Sequence, residues 1–585
     1  MGDPRKSVAK APRSGTRIRT GDAPTSATVV PFDEGALRLT RGDWLIFTAA
    51  LGLRLLYVLS IHHAYFFEHL QTDALRYQQW ATLILDAPVP PRPPFEQSPG
   101  YPYLVAAVFA LCGRSLMPVA CLQAGLDALT CVLIAAAGRY WFGARAGWIA
   151  GSLAALYGPF IYFSAQLLPV TPFVFLCVAA LCAALRARWW LAGILWGAAL
   201  VMRAEVVFAL PLVGLDAWRR GRWLALARSG APLIACVAFF VGINAAFSPH
   251  LVLLTTSGGE NLWLGNNPHA DGVSPFAAGP LEAIAEGARS AAHNDAVLVD
   301  QQLRGRALAF WRAAPAAATR LLLRKFVWTW TDRELPNTSD IDWETAHSWL
   351  FRPPLFPVSL GMILPFALAG ALLIGHERRA ANRHRPELEL LGAPLLIGVA
   401  ACVVFFTNAR FRLIMVPSLL WLAGNALARL PRLVRQGRGN VPALALLAIG
   451  CAVGTLAAWG NFDGVRHYRI PQISVDTGIV ERESGDFTGA VRHLREGLAD
   501  DPQDGIAWVH LALALEQGGD VRAALNAYLD GLVAAPGDDD LQTMAGRFCN
   551  LHHLDTAALH AYAAASSSER AALRLRLEQQ LPTRP

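Results

Sequence analysis

Three polar clusters set between long apolar runs hold the residues whose types and spacing could do chemistry. The first reads Gln71-Thr72-Asp73-Ala74-Leu75-Arg76-Tyr77 and, after a Pro-rich stretch, Gln97-Ser98-Pro99-Gly100-Tyr101-Pro102-Tyr103-Leu104. Asp73 stands shortly after the end of an apolar run, where a carboxylate can take a proton from an attacking hydroxyl at a membrane surface. Read alone it is a solvated loop carboxylate or a helix cap, and Glu68, Asp86 and Glu96 are nearby candidates of the same kind. Tyr77 and Tyr101, in the same loop, are candidates for contacting a substrate.

The second cluster, Thr256-Ser257-Gly258-Gly259-Glu260-Asn261-Leu262-Trp263-Leu264-Gly265-Asn266-Asn267-Pro268, is rich in turn residues and side-chain amides. Glycine permits close backbone approach, and Asn261, Asn266 and Asn267 could bind a hydroxyl-rich ligand. The plainer reading is an ordered turn. Further on, Arg324-Lys325 precede Trp328, Trp330 and Glu334. Paired cations near a membrane interface suit a phosphate, although snorkelling side chains and an aromatic belt have the same composition. The third cluster is Asn408-Ala409-Arg410-Phe411-Arg412, a short turn between two apolar runs. Arg203 and Asp127 lie within apolar segments, where ionisable groups are costly and are functional candidates by default. For Asp127 the alternative is pairing with a neighbouring polar group.

The elements that must position these clusters are membrane spans. Of the 585 residues, 54% are hydrophobic and 16% charged, against about a quarter charged in soluble proteins. The mean hydropathy is +0.34. Apolar runs at 44–60, 167–185, 232–247, 354–374, 391–406 and 443–459 each approach the length that crosses a bilayer core, and about eleven spans are expected in all. The net charge of +7 sits in short clusters between the spans, with no basic stripe interleaved with aromatics, which argues against nucleic acid. Eight of the nine cysteines lie in apolar runs and none forms a CxxC, as expected of small packing residues. The segment before Asp43 is basic and has no cleavable signal, so 44–60 reads as a retained first span.

With a basic, disordered tail (1–42) in the cytoplasm, the basic clusters near 139–145, 186–188, 219–222, 376–385 and 429–438 all fall on one side. The loops at 62–115 and 250–352 and the C-terminal domain fall on the other, the periplasm if this is a bacterial inner-membrane protein. The short pair around Arg203 is counted as two spans; counted as one, it would invert everything after it. The membrane domain is placed at 43–460, a linker at 461–474 and a soluble helical domain at 475–585.

That last domain carries a repeat. Gly485-Asp486 recurs at Gly519-Asp520, Ala490 at Ala524, Gly497 at Gly531 and Pro502 at Pro536, each pair 34 residues apart. This is the period of tetratricopeptide repeats, and Trp508, Leu511, Ala524, Tyr528 and Pro536 match their alternation of large and small residues. A degraded third copy keeps Ala558 and Tyr562. Stacked helical hairpins burying a shared face are expected. They would either dock a protein partner or pack on the membrane domain.

The Asp73 loop, Ser-Pro-Gly-Tyr-Pro, Gly-Asn-Asn-Pro, the Arg-Lys…Trp…Glu-Leu-Pro-Asn segment and the Arg-Phe-Arg-Leu turn together resemble the membrane-embedded GT-C glycosyltransferases. The resemblance is to glycosyltransferase family 39, the protein O-mannosyltransferases and the aminoarabinose transferase of lipid A. It implies an all-α polytopic bundle and a polyprenyl phosphate-linked sugar donor. It also implies transfer on the external face to a protein, lipid A or glycan acceptor. Asp73 would be the catalytic carboxylate, Arg324, Lys325, Arg410 and Arg412 would contact the donor phosphate, and Glu334 would join the substrate-binding residues. Two departures stand out: Ala74 follows Asp73 where many relatives have Glu, and Gln166 stands where relatives often have an acidic residue. Both weaken the case for a divalent metal, and no cofactor is assigned. The rival readings are a lipid-linked sugar flippase, which would call for internal duplication of the membrane part, and a membrane scaffold acting through its repeats.

Overall fold

The computed structural model describes residues 37–86, 95–219, 223–276, 280–352, 357–381 and 388–581. The tail expected before residue 37, the Pro-rich stretch 87–94 and the basic residues Arg220, Arg222 and Arg385 lie outside them. Every regular element described is helical, and one isolated bridge joins Tyr157 to Val358.

Among the described residues, six helices are long and apolar enough to cross a membrane: Arg41–Ile61, Leu116–Phe142, Trp223–Ala246, Leu360–Arg379, Ala409–Gln436 and Val441–Trp459. A seventh candidate is a bent pair, Gly158–Ala165 and Val170–Leu185, turned by 119°. Trp189–Met202, Ala204–Leu215 and Gly392–Val404 are shorter apolar helices. A further one, Gly100–Cys112, lies inside the segment expected to be an external loop. The apolar runs of the sequence are thus all helical, but several are short or broken.

The breaks have local causes. The apolar stretch 148–163 is interrupted at Tyr157, which is extended (φ −70°, ψ 116°) before Gly158-Pro159. Pro159 has no N–H to continue a helix, and its ring crowds the carbonyl four residues back. That carbonyl, Ala155 O, is instead taken by Arg54 Nη1 at 2.7 Å, while Nη2 reaches Ala154 O at 3.2 Å. The guanidinium charge is matched by Asp127, with Nε 2.5 Å from Oδ2. Asp127, costly at mid-span, is therefore one half of a buried pair that closes a helix break, and its role is structural. A second buried pair, Arg139 with Asp43 at 2.9 Å, ties the first two spans together at the other end.

Small residues set the closest span contacts, as expected where packing and not the hydrophobic effect holds helices together. Val441–Trp459 lies against Leu360–Ala381 through Gly450 and Gly454, and a β-carbon on Gly454 would come within 2.5 Å of the Pro365 backbone.

The C-terminal helices stack as the period predicts: Pro471–Ser484, Phe487–Asp500, Gly505–Gln517, Val521–Ala534, Asp539–Leu551, Thr556–Ala564 and Ser567–Gln580. The repeated Gly-Asp pair has a mechanical reason. Gly485 (φ +90°) and Gly519 (φ +88°) end one helix in the left-handed region, which glycine enters without a Cβ clash. The following Asp486 and Asp520 cap the next helix by accepting from Gly489 N (2.9 Å) and Ala523 N (3.0 Å). Tyr528, Ala524 and Leu511 are in the shared core.

Residues 461–474, expected as a linker, are packed against the membrane part. Val465, Ile470 and Ile473 share a cluster with Val273, Trp328 and Leu335. Trp328 Nε1 donates to Phe462 O at 3.0 Å. The first repeat helix makes two polar contacts of its own: Tyr65 OH to Glu483 Oε2 and Trp343 Nε1 to Glu481 Oε1, both 2.8 Å.

Candidate functional site

The site is organised by the turn 408–412, whose alternate side chains reach the segment 331–337 and the helix that carries Asp73. Asn408 caps the turn by accepting from Phe411 N at 2.8 Å, and its Nδ2 donates to Asn337 Oδ1 at 2.8 Å. Arg410 Nη1 lies 2.7 Å from Asp73 Oδ2. Arg412 pairs with Glu334 at 2.5 Å and also donates to Thr331 O and Arg333 O. Backbone bonds from Thr407 N to Gly272 O and from Ala409 N to Leu335 O fasten the turn to two stretches of the segment 250–352.

Asp73 begins the helix Thr72–Asp86. Its second oxygen, Oδ1, accepts from Gln97 Nε2 at 2.7 Å. Burial would raise its pKa, but the Arg410 charge and the hydrogen bonds of Arg410 and Gln97 prevail and hold it below the usual carboxylate range. It is thus a fixed anion and a weak base. Each of its oxygens has two lone pairs and one protein donor, so both can still accept from a ligand hydroxyl.

Tyr77 and Tyr101 stand beside Asp73 as an edge-to-face pair with centroids 5.0 Å apart. Burial, and after it the Asp73 charge, push the Tyr77 phenol up, and the charges of both Arg410 and Arg203 act on it. Arg203, from the break after Trp189–Met202, sits with its guanidinium 4.9 Å from the Phe411 ring and paired to Glu205. Gly100 explains part of this proximity, because a β-carbon there would lie 2.8 Å from Val201 O, just before Arg203.

From Tyr101 a hydrogen-bonded chain runs away from Asp73. Tyr101 OH donates to Gln123 Oε1 (2.8 Å), Gln123 Nε2 to Gln166 O (2.7 Å), and Gln166 Nε2 to Glu344 Oε2 (2.7 Å). Tyr162 OH also donates to Glu344, at 2.9 Å. Burial raises Glu344 to about 7 against the opposing hydrogen bonds of Tyr162, Ser339 and Gln166. Gln166 is thus hydrogen-bonded to a carboxylate, Glu344, that comes from another segment. A cavity of roughly 60 Å³ is lined by Thr72, Ala74, Gln166, Glu344 and, from the first repeat helix, Asp476 and Thr477.

The expected phosphate contacts do not converge. Lys325 is fully buried and donates to Gly265 O, Asn266 Oδ1 and Phe405 O at 2.9–3.0 Å. These three acceptors match the three N–H bonds of an ammonium even though burial pulls the pKa down to about 7. All its donors are engaged, so Lys325 joins the Gly-Asn-Asn-Pro segment to the 405–412 segment and has none left for a phosphate. Arg412 is likewise buried on carbonyls and Glu334. Arg324 is half-buried, paired to Asp463 and set 5.6 Å from the Trp328 ring. Only Arg410 of the four is beside Asp73.

The amides expected in a sugar pocket are also engaged internally. Asn266 Nδ2 donates to Leu262 O and Val404 O, and Asn267 Nδ2 to Trp263 O and Leu264 O. Asn261 is half-buried on the helix Gly258–Leu264. Around the turn 408–412, by contrast, several polar atoms are buried with no protein partner: Arg410 Nε, Gln97 Oε1, Glu334 Oε1, Asn337 Nδ2 and Arg412 Nε. Gln97, Glu344 and Asn337 are missing from the sequence-derived candidates. Gln97 opens the Ser-Pro-Gly-Tyr-Pro element, and Glu344 ends the acidic run Asp340-Ile341-Asp342-Trp343-Glu344, which were the available signals. Among the described residues no cluster of His, Cys, Asp and Glu could hold a metal ion.

Residues 475–539 match the tetratricopeptide repeat family model. No curated protein matches the chain. Among solved structures, the chain is similar to the oligosaccharyltransferase AglB of Archaeoglobus fulgidus in complex with an inhibitory peptide and a dolichol-phosphate. That alignment has 16% identity and a TM-score of 0.36, over 76% of this chain and 58% of that one. The apo form of the Archaeoglobus fulgidus oligosaccharyltransferase aligns at 15% identity and a TM-score of 0.40, over 77% and 59%. The chain thus spans less than two thirds of those proteins, and no activity is carried over from them. It is an all-helical protein with membrane-spanning helices whose segment 475–539 is a tetratricopeptide repeat unit.

Proposed function

We propose that this chain is a GT-C-type glycosyltransferase that moves a sugar from a polyprenyl phosphate-linked donor to an acceptor hydroxyl at the external, periplasmic membrane face. The observation that carries the reading is the group around Asp73. It combines a fixed carboxylate, an arginine and a set of buried donors and acceptors without protein partners, complementary to a ligand rich in hydroxyls and bearing an anion. In the transfer, the acceptor oxygen bonds to the sugar C1 as the bond from C1 to the phosphate oxygen breaks and the phosphate leaves with the electron pair. Arg410, of whose N–H groups only Nη1 is hydrogen-bonded, is placed to stabilise charge on the leaving phosphate. Asp73 accepts the hydrogen bond of the attacking hydroxyl and orients it. The proton passes to Asp73 as the new bond forms, and from it to solvent at the external face. The repeat domain contributes Asp476 and Thr477 to the same cavity wall, which supports a part in recruiting the acceptor or a partner that presents it.

The test is sugar transfer in membranes from cells producing wild type or Asp73→Asn at equal levels, read by mass spectrometry of surface glycans. A glycoform that vanishes with Asp73→Asn supports the transferase and identifies the acceptor. Unchanged glycoforms, with a phenotype only on deleting the repeats, would establish the scaffold reading instead.

A further inference from the structure

The segment 301–328 carries six Arg and Lys residues and no Asp or Glu. It forms the helices Ala296–Ala313 and Pro315–Trp328, between the spans Trp223–Ala246 and Leu360–Arg379. Three of the six cations are accounted for: Arg304 pairs with Asp300, Arg324 with Asp463, and Lys325 is buried. Arg306, Arg312 and Arg320 have no ion-pair or hydrogen-bond partner among the described residues. Two of them, Arg306 and Arg320, line a cavity of about 690 Å³ together with His269 and Arg324, and its lining also includes Trp263, Phe310 and Leu321. Basic groups beside aromatic and aliphatic ones are complementary to a ligand with an anionic head and a hydrocarbon chain.

The outer surface of the second helix identifies the source of that ligand. At 100° per residue, Arg320 and Arg324 form one stripe, and Leu323, Phe326 and Val327 form the adjoining one. The apolar stripe is exposed, at 59%, 43% and 37% respectively. A helix with adjoining basic and apolar exposed stripes has the composition of one lying in a bilayer interface. Among the described residues, none that lines the cavity is hydrogen-bonded or ion-paired to Asp73 or Arg410.

We propose that this cavity is a binding site for an anionic phospholipid of the surrounding bilayer. Arg306 and Arg320 would take the phosphate, and the chain would lie along Trp263, Phe310 and Leu321. The site is independent of the transferase reading and would exist in a scaffold as well.

The full chain is reconstituted in vesicles of equal phosphatidylglycerol and phosphatidylcholine, extracted in mild detergent, and its retained lipid quantified by mass spectrometry. Wild type is expected to retain phosphatidylglycerol over phosphatidylcholine roughly tenfold, and Arg306→Gln with Arg320→Gln to bring the ratio near parity. Ala313→Trp, which fills the cavity without changing charge, is expected to do the same. Thermal unfolding in phosphatidylcholine alone checks that both variants are folded. No preference in wild type, or a preference that survives both variants, overturns the proposal. So does displacement of phosphatidylglycerol by an equal mole fraction of polyprenyl phosphate, which would make the cavity a donor site.

Discussion

Asp73 is held by a guanidinium on one oxygen and an amide on the other, so its role is set by geometry more than by basicity. Asp73→Asn keeps the size and loses the anion that Arg410 faces, and transfer is expected to fall by about 10²–10⁴. Arg410→Lys keeps the charge but not the planar fork, and is expected to lose most of the same activity, measured as initial rates in membranes. Recovery of full activity in Arg410→Lys would remove the directional role of the guanidinium. Glu344 gives a different signature, because its folded value of about 7 lies above its ordinary 4.5. Between those values the folded state keeps a proton that the unfolded chain has released, so this group's contribution to stability falls as pH rises through the window. Glu344→Gln carries no such proton. Its melting temperature should drop less than that of wild type between pH 4.5 and pH 8, by an amount equivalent to about 3 kcal/mol. Parallel curves for the two proteins would show that Glu344 titrates at its ordinary value in the folded protein.

At the scale of elements, the helices do what local sequence asks of them, and the misses occur where a distant group intervenes. The Gly-Asp repeat was legible because both residues act within one helix junction, one by backbone freedom and one by capping. The break at Tyr157 was missed, since the run 148–163 is apolar enough to look continuous. Its stability depends on Arg54, about a hundred residues away, taking the Ala155 carbonyl that Pro159 leaves unpaired. Likewise Asp73 could be picked out from its loop, but its partners Gln97 and Arg410 and the far-off Glu344 are neighbours only in space. Lys325 and the asparagines of Gly-Asn-Asn-Pro looked like ligand-binding groups because sequence shows their polarity and not their internal acceptors. Span packing yields a direct test. Gly454→Leu would drive a side chain into the Pro365 backbone and should destabilise by about 1–3 kcal/mol, while Gly242→Leu, with nothing within 4 Å, should be neutral. Thermal unfolding of the two purified variants separates these outcomes, and equal stability would mean that the Val441–Trp459 contact is looser than described.

For the molecule as a whole, the consequential feature is that the repeat domain is docked and not tethered. The stretch 461–474 reads as a linker because it lies between the last apolar run and the repeats, and its few apolar residues are too sparse to announce a core of their own. They complete a core begun by Val273, Trp328 and Leu335 in the long loop 250–352. Arg333 donates to Val465 O and Arg466 O, and Tyr468 to Asp271, so the same stretch also has polar anchors. With Tyr65 on Glu483 and Trp343 on Glu481, the first repeat helix is held beside the segment that carries Asp73. Backbone buried in this way opens to a protease only through local unfolding, so cleavage at 461–474 should be slow while the termini are trimmed. Trp328→Ala removes the ring under Tyr468 and the donor to Phe462 O, and should raise the cleavage rate at the linker by at least about tenfold. Trp343→Phe removes only the bond to Glu481 and should raise it less, by a factor equivalent to about 1 kcal/mol. The cut site is read by intact mass and N-terminal sequencing. Rapid cutting of wild type at 461–474, unchanged in both variants, would mean that the repeats swing freely. An acceptor-recruiting role would then have to act at a distance from Asp73, without the shared cavity wall that places Asp476 and Thr477 beside Thr72 and Ala74.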